Sequence, residues 1–508
     1  MNDQGEGAIP KPKQNELMFQ AFEWNVPADH QHWNRLAEGL VSLKEIGVTS
    51  IWIPPGCKAI ESTCNGYGVY DLYDIGEFDQ KGSVPTKWGS KKELQALVKS
   101  AYEMDIRILW DAVLNHKAGA DKTEKCLATR VHPNNRNHEL DKPPKLIEAW
   151  LGFTFPGRGN VYSSMKYHWE HFSGIDQDLF TGLKGIFKIV GDNKNCKKSW
   201  APDVSKENGN YDYLMFADVD FSHKDVRDDV KNWIQWLRCQ MPIGGLRLDA
   251  VKHYSRSFLL EFLVHIKDRV GPDWFFAAEY WSPEVDDLLC YLKNMKNLVA
   301  LFDVPLVHNI SKISQKERAD LRKIFKKTLV SKRPDSAVTF VMNHDTLPVD
   351  WWFKPLAYAL ILLRKDGVPC VFYGDLHGIN ETPLNAAEPP VTNLGSLVLA
   401  RTLYAYGSQR DYFNQKHCLG FVRSGSEDHP SGLACIMSNA GRAFKFMYVG
   451  MKHAGEAWTE VYGEYGGTVK INCMGYGRFG VMGKSVSVWV NSEAKGRERF
   501  SGLKRITF

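Results

Sequence analysis

Runs of apolar residues alternate with helical patterns over the first 400 residues. The first run, 17–24, is followed by apolar residues at the spacing of one helix face, from Trp33 to Ile46, and Gly47 ends that pattern. A second helix is predicted to open at Ser90, because Glu93 stands three residues further on and completes a capping box. Seven further runs have the length and composition of buried strands: 49–55, 107–116, 244–251, 275–281, 300–306, 337–345 and 368–375.

Eight strands interleaved with helices predict parallel β-α-β units, and eight is the number that closes a (β/α)8 TIM barrel. The alternative is an open, doubly wound parallel sheet. That alternative is disfavoured because no glycine-rich phosphate-binding loop follows the first strand. The sequence therefore predicts an α/β protein built on a TIM barrel.

Two stretches depart from this alternation. Residues 117–243 are too many for an ordinary connection between strands, so they must contain an inserted subdomain. Beyond about residue 400 the helical period fades, and short alternating runs such as 484–490 predict a C-terminal antiparallel β-sandwich. We therefore expect a flexible tail (1–16), the catalytic barrel (17–116 and 219–400), a β-rich inserted subdomain (117–218) and a C-terminal β domain (401–508).

Composition narrows the class of partner. The 64 basic and 59 acidic residues are spread along the 508-residue chain and leave a net charge of +5 without any basic block. This distribution argues against nucleic acid or an anionic membrane as partner. The polar N-terminus lacks the apolar run of a signal peptide, which predicts a cytoplasmic protein. The ten cysteines form no CxxC pair and are expected to be free thiols.

The stretch GGLRLDAVKH, residues 244–253, places two opposite charges in what looks like a buried strand. Arg247 and Asp249 share one face of that strand, because strand side chains alternate between faces. Burying charge is costly unless the charge is paired or used. This stretch alone leaves two readings open: a structural ion pair, or an active-site carboxylate held by an arginine.

Polar residues also end several other predicted strands, and barrel enzymes place their sites at the C-terminal strand ends. Carboxylates that share a cleft push each other's pKa values apart, so that one stays protonated while another is ionised. A glycoside hydrolase needs that arrangement, with one acid for the leaving oxygen and one carboxylate to attack or to activate water. The residues at these ends are Asn115, His116, Arg247, Asp249, Glu279, Tyr280, Trp281, Asn343, His344 and Asp345.

Ten motifs spread along the chain carry a family resemblance: MFQAFEWNVP, WIPPGCKA, GYGVYDLYDIGEFDQKG, DAVLNHKAGAD, ENGNYDYLMFADVD, GLRLDAVKH, AAEYW, NHDT, WFKPLAYA and VFYGD. With these motifs the chain resembles the α-amylases of glycoside hydrolase family 13. Within that family it is similar to the bacterial liquefying-type subgroup, in an intracellular form. The resemblance covers nearly everything from residue 17 to residue 490.

The resemblance implies a role for each acid. Asp249 matches the nucleophile, Glu279 the general acid/base, and Asp345 the third carboxylate, which grips sugar hydroxyls and helps to distort the ring. Arg247 would keep Asp249 ionised and oriented. The remaining implied substrate contacts are Tyr67, stacked under the sugar ring, and His116, Lys252, His253, Trp281 and His344.

A structural calcium ion between the barrel and the inserted subdomain is also implied. Its ligands would be Asn115, Asp212, Asp218 and the carbonyl of His253, and an all-oxygen set of this kind suits a hard cation. Ser173 and Ala201 stand where relatives carry further acidic metal ligands, so additional sodium or calcium sites are not expected. The loop after Asp345 is shorter than in the relatives, which would leave that rim of the cleft more open.

The resulting prediction is a retaining, endo-acting hydrolase of α-1,4-glucosidic bonds in starch- or glycogen-type glucans and maltooligosaccharides, acting as a monomer. One alternative is a 4-α-glucanotransferase with the same catalytic residues, in which another sugar takes the glucosyl group. A non-catalytic binding protein of the same fold is a third reading, and the intact acidic trio argues against it.

Overall fold

The computed structural model describes residues 15–191, 198–381 and 386–501. Residues 1–14 of the predicted tail lie outside these ranges. The last residue of the predicted tail, Glu16, is held by the fold, because its carbonyl accepts a 2.9 Å hydrogen bond from Arg401. Eight parallel strands close into a barrel in sequence order, which confirms the predicted fold class. The barrel strands are Met18–Gln20, Ser50–Ile53, Arg107–Ala112, Gly245–Leu248, Phe275–Ala278, Ala300–Phe302, Ala337–Phe340 and Val368–Phe372.

The first two helices show the predicted stop and start signals. The first helix is followed by Gly47 at φ +107°, where a Cβ would lie 1.9 Å from the Thr402 hydroxyl, so this position requires glycine. The capping box is formed, because the Glu93 carboxylate accepts a 2.7 Å bond from the Ser90 amide and the Ser90 hydroxyl accepts one from the Glu93 amide. The helices are His32–Ile46, Lys91–Glu103, Lys224–Gln240, Arg256–Arg269, Val285–Asn294, Val304–Ser314, Leu329–Lys332, Lys354–Leu363, Tyr373–His377, Leu394–Tyr404 and Glu498–Ser501.

A seven-stranded antiparallel sheet fills the connection between the third and fourth barrel strands. The third barrel strand ends at Ala112, earlier than the predicted run 107–116. His116–Lys117 instead belongs to the inserted sheet, where it pairs with Ala217–Val219. Asn115 and His116 therefore lie at the junction between barrel and insert. The other strands of this sheet are Lys122–His132, Asn135–Glu139, Lys145–Gly152, Phe172–Asp178 and Leu183–Ile189.

The C-terminal segment forms antiparallel strands, as predicted. A six-stranded sheet and a two-stranded sheet enclose an apolar cluster that includes Met447, Trp458 and Trp489. The predicted run 484–490 is observed as Ser485–Asn491. The other strands here are Gln409–Gln415, Cys418–Arg423, Leu433–Ser438, Ala443–Tyr448, Ala457–Tyr462, Val469–Lys470 and Tyr476–Val481.

Two further observations concern the described residues. Within the described ranges, none of the helices has the length and apolar character needed to cross a membrane. The nine cysteines in those ranges are free thiols, as expected, while Cys196 lies outside them.

Candidate active site

One buried arginine holds three carboxyl groups at the C-terminal end of the barrel strands. Nη1 of Arg247 donates to Oδ1 of Asp111 at 2.8 Å and to Oδ1 of Asp249 at 2.6 Å. Nη2 of the same guanidinium lies 2.9 Å from Oε2 of Glu279. The register explains this gathering, because Arg247 pairs with Asp111 on one neighbouring strand and with Ala277, two residues before Glu279, on the other. The Arg247–Asp249 pair is thus part of a larger carboxyl cluster.

Sequence reasoning did not single out Asp111, the third member of this carboxyl cluster. Asp111 is buried within the third barrel strand, and its Oδ2 accepts hydrogen bonds from the Trp52 indole at 2.9 Å and from the Tyr67 hydroxyl at 2.8 Å. The one available signal was an acid near the end of this strand, directly after three apolar residues. Asp111 connects the ring of Tyr67 to the guanidinium that holds the two predicted catalytic acids.

The protonation of the cluster follows from its burial and charge. Burial raises the pKa of Asp249 to about 8; Arg247 opposes this rise without cancelling it, and the charges of Glu279 and Asp111 add to it. Burial lowers the pKa of Arg247, but Asp111 and Glu279 raise it well above its ordinary value, so the guanidinium stays charged. Three carboxyl groups that share one cation retain a proton near neutral pH, and that proton belongs to the group rather than to one residue.

Three aromatic rings lie beside the cluster. Tyr67 and His344 are nearly parallel with centroids 5.1 Å apart, and Trp24 lies parallel to both at 5.9 and 5.7 Å. Because the three separations are similar, the rings form a triangular platform rather than a column. Trp24 is 47% exposed and was not singled out from the sequence, whereas Tyr67 and His344 were. The exposed ring of the platform, Trp24, presents flat apolar surface of the kind that sugar rings stack on, while the His344 side chain is buried.

His116 and Asp345 occupy different surroundings. His116 is buried with Nε2 2.8 Å from the carbonyl of Tyr67, and burial lowers its pKa to about 4, so the ring is neutral. The side chain of Asp345 is 52% exposed, with Oδ2 3.1 Å from Nε2 of His344. Partial burial raises the pKa of Asp345, but His344 and Arg247 lower it further, so this carboxylate stays ionised. Asp345 therefore offers an ionised acceptor at the open side of the site.

The remaining predicted contact residues form a second group, which ties the insert to the barrel. The Lys252 ammonium donates to the Trp281 carbonyl at 2.9 Å and to the Glu207 carboxylate at 2.8 Å. Nδ1 of His253 lies 2.9 Å from the carbonyl of Tyr211. Burial lowers the pKa of His253 to about 3, so this ring is neutral as well.

Three of the four predicted calcium ligands, Asn115, Asp212 and Asp218, lie together at the same junction. Nδ2 of Asn115 donates to Asp218 at 3.2 Å, while its buried Oδ1 has no hydrogen-bond partner. Burial raises the pKa of Asp212 to about 8 and that of Asp218 well above its ordinary value, and the two acids repel each other. The side chain of His253 is hydrogen-bonded to the carbonyl of Tyr211, the residue before Asp212. Buried acids that repel each other beside an unsatisfied amide oxygen are suited to a hard divalent cation.

The positions flanking these ligands carry other groups. The Ser173 hydroxyl donates to Asp218, and the Ala201 amide donates to Asp212 at 2.9 Å. The Lys198 ammonium pairs with a third acid, Asp220, at 2.7 Å. A separate cluster, in which the ligand atoms of His171, His223 and Asp225 lie within 4.8 Å of one another, also lies nearby. It contains imidazole, which suits transition metals better than calcium, and Nδ1 of His171 already accepts a 2.9 Å bond from a backbone amide.

The fold and the site define a class of protein. The strands of a closed (β/α)8 barrel carry Asp249 and Glu279, bound to one guanidinium, at their C-terminal ends. The ionised Asp345 and an aromatic platform lie at the same end of the barrel. This combination is typical of a glycoside hydrolase.

Comparison with known proteins narrows the class to a family. Residues 20–175 match the model described as "Alpha amylase, catalytic domain". The chain is 44% identical to a glucan 1,4-alpha-maltohexaosidase of Bacillus sp. (strain 707), over 94% of this chain and 92% of that protein. It is 39% identical to the cytoplasmic alpha-amylase of Escherichia coli (strain K12), over 94% and 99%. The chain belongs to the α-amylase family, glycoside hydrolase family 13, and is an enzyme of that type.

Solved structures agree on the fold. The alpha-amylase of Geobacillus thermoleovorans, complexed with acarbose, superposes with a TM-score of 0.60 at 16% identity, over 94% of this chain and 98% of that one.

Proposed function

We propose that this enzyme hydrolyses internal α-1,4-glucosidic bonds of starch- or glycogen-type glucans and maltooligosaccharides, with retention of configuration. The observation that carries the proposal is the attachment of Asp249 and Glu279 to one guanidinium. A shared guanidinium keeps two carboxyl groups at short range, which suits a retaining mechanism, where they are about 5–5.5 Å apart, better than an inverting one. The bond type is supported by the names of the relatives, an α-amylase and a maltohexaosidase.

The retained proton of the cluster serves the first step. With the proton on Glu279, this group donates to the glycosidic oxygen as the bond to the leaving sugar breaks, and Asp249 attacks the anomeric carbon to form a glucosyl-enzyme ester. Glu279, now a carboxylate, takes a proton from water as that water attacks the same carbon and releases Asp249. Arg247 stays charged throughout and keeps Asp249 directed at the reacting carbon and Glu279 at the oxygen atoms bound to or attacking that carbon.

The neighbouring residues position the sugar. The Tyr67 ring supports the apolar face of the sugar being cleaved, while neutral His116 and the imidazole of His344 hydrogen-bond its hydroxyls. Asp345, ionised at the open side, grips sugar hydroxyls and favours the distorted ring. Lys252, His253 and Trp281 bind the leaving side of the chain, where the insert meets the barrel.

We further propose one structural calcium ion, held by Asn115, Asp212, Asp218 and the carbonyl of His253. The ion would neutralise the two buried acids and fix the insert to the barrel. Ser173 and Ala201 add no charge, and Lys198 already neutralises Asp220, which supports a single site.

A cytoplasmic location is supported by the name of the Escherichia coli relative. The division at residues 117, 219 and 401 remains our proposal for the domain boundaries.

The test compares Asp249→Asn and Glu279→Gln with wild type on soluble starch and on maltoheptaose. Removing nucleophile or proton donor is expected to lower kcat at least about 100-fold, while Asp228→Asn, an exposed carboxylate of the helix Lys224–Gln240, serves as the control. Proton NMR of the first product must show the α-anomer. Activity of either acid variant within about tenfold of wild type would contradict the assignment. Products longer than maltoheptaose, formed without a rise in reducing ends, would favour the glucanotransferase.

A further inference from the structure

The imidazole of His344 is held in its plane by aromatic rings. Tyr67 and Trp24 lie nearly parallel to it, at interplanar angles of 17° and 10°. The rings of Phe22 and Trp52 pack against it with centroids at 5.1 and 5.8 Å. Such packing fixes the plane of a ring, but it does not decide which of the two nitrogens carries the proton. The contacts made by the nitrogens themselves decide that.

One of these contacts comes from Gln20, the last residue of the first barrel strand. Its side chain is fully buried, and its Nε2 lies 3.0 Å from Nδ1 of His344 and 3.4 Å from the carbonyl oxygen of Phe22. A carbonyl oxygen can only accept, so the amide presents its two N–H groups on this side, one for the carbonyl and one for the imidazole. Nδ1 of His344 is therefore the acceptor, and the ring proton lies on Nε2.

The other ring nitrogen faces the third carboxylate. Nε2 of His344 lies 3.1 Å from Oδ2 of Asp345, without the alignment of a full hydrogen bond. A proton on Nε2 turns the positive edge of the imidazole toward the carboxylate and attracts it. A proton on Nδ1 would instead leave the Nε2 lone pair facing the same oxygen, which repels it. The position of one proton thus decides the sign of this contact, and Gln20 fixes that position through the opposite nitrogen.

Stability alone does not account for a glutamine at position 20. Its Oε1 is buried and has no hydrogen-bond partner among the residues that the structure describes. A buried oxygen without a partner costs free energy, and an apolar side chain of similar length, such as methionine, does not carry that cost. The need for an N–H donor to His344 does account for it.

We propose that Gln20 is a positioning residue for Asp345, which acts through the tautomer of His344. The inference rests on the proposed function, in which Asp345 grips sugar hydroxyls and favours the distorted ring. A carboxylate attracted by Nε2 is already oriented before the sugar arrives, so less order has to be gained as the ring distorts. Because the distorted ring belongs to the transition state, loss of the Gln20 donor lowers kcat more than it changes KM.

The test removes the donor and keeps the length of the side chain. Gln20→Met is the main variant, and Gln20→Asn, which keeps an amide but is one methylene shorter, is the second. Gln95→Met is the matched control, because the Gln95 amide also donates one bond, at 3.0 Å to the carbonyl of Gln240, on a helix outside the site. Gln20→Met is also made in the His344→Ala background.

Three measurements are made on each full-length variant. Kinetics on maltoheptaose give kcat and KM, inhibition by acarbose gives the affinity for a flattened sugar ring, and thermal unfolding shows whether the variant is folded. NMR of protein labelled with 15N in its histidines shows which nitrogen of His344 carries the proton. The spectrum of His344→Ala identifies the signals of this ring by their loss.

We expect Gln20→Met to lower kcat about five- to tenfold, the value of one hydrogen bond, and to change KM less than about twofold. Its affinity for acarbose falls by a factor similar to that of kcat, and Gln20→Asn changes both in the same direction. In the His344→Ala background the same substitution changes kcat less than about twofold, because the ring through which Gln20 acts is absent. Gln95→Met stays within about twofold of wild type in each assay.

Three results overturn the role of Gln20. One is folded Gln20→Met with kcat within about twofold of wild type. Another is an equal loss of kcat with and without the His344 ring, which would make the role of Gln20 merely structural. The third is a wild-type NMR spectrum with the ring proton on Nδ1, and this result does not depend on the folding of any Gln20 variant. If wild type hydrolyses neither starch nor maltoheptaose, the proposed function fails instead, and the NMR spectrum still tests the tautomer separately.

Discussion

Replacing Asp111 by asparagine removes one negative charge from the carboxyl cluster and keeps the shape of the side chain. Oδ1 of Asp111 and Oδ1 of Asp249 both bind Nη1 of Arg247, at 2.8 and 2.6 Å. The two oxygens thus lie no more than about 5.4 Å apart, a distance at which two unit charges repel by roughly 3 kcal/mol at an effective dielectric constant of about 20. Because one pKa unit is worth about 1.4 kcal/mol, we expect the pKa of the shared proton to fall by about two units.

The sign of the effect on activity follows from the proton count. The active form carries one proton in the pair, with Glu279 protonated and Asp249 ionised. In wild type burial raises the pKa of Asp249 to about 8, so the cluster loses its proton, and activity falls, on the alkaline side. Lowering the pKa moves this alkaline limb to lower pH. The measurement is kcat/KM for a maltooligosaccharide across the neutral and alkaline range, since this ratio reports the free enzyme.

Asp320→Asn provides the control, because Asp320 is an acid paired with Arg322 outside the cluster. Its alkaline limb should coincide with that of wild type. The shared-proton reasoning is refuted if a folded, active Asp111→Asn enzyme keeps the wild-type limb, or if its limb moves to higher pH.

Three further predictions concern the guanidinium, the metal site and a helix cap. Arg247→Lys keeps a charge but cannot hold three carboxyl groups with one planar fork, so kcat on maltoheptaose should fall at least about 100-fold; near-normal kcat would show that charge alone suffices. EGTA should lower the unfolding temperature of wild type, and added calcium should restore it. Calcium should not raise the unfolding temperature of Asp218→Asn. A wild type whose unfolding temperature does not respond to EGTA would argue against the site. Ser90→Ala should cost about 1 kcal/mol of unfolding free energy in urea titrations and leave kcat unchanged, and a cost near zero would mean that the capping box adds nothing.

Local patterns were sufficient for the barrel but not for all its boundaries. The apolar runs predicted eight strands because buried parallel strands are apolar on both faces. Val113 and Leu114 continue the apolar character of the run 107–116, yet the chain leaves the barrel at Ala112 and joins the inserted sheet at His116. Nothing in the residues between marks that change, because both sheets bury this stretch. The choice depends on the partner Ala217–Val219, a hundred residues away.

The candidate site, like the barrel, could be predicted from local sequence only in part. The acids at strand ends could be predicted, because a barrel brings all its C-terminal strand ends to one rim. Asp111 could not, since its role depends on the register that sets it opposite Arg247 on a strand far along the chain. The protonation of the carboxyl cluster could not be predicted from the local sequence either. One guanidinium beside Asp249 suggests an ionised acid, whereas the same guanidinium shared with Glu279 and Asp111 leaves a proton behind.

The insert also affects the order in which the molecule can fold. The third and fourth barrel strands must pair across a connection of more than a hundred residues, and closing a long flexible loop costs entropy and slows folding. The inserted sheet brings the two ends of that connection together, because His116–Lys117 pairs with Ala217–Val219. Once the insert is folded, the barrel has only a short effective loop left to close. The strand that carries Asp218 thus helps to decide when the catalytic strands meet, before any substrate is present.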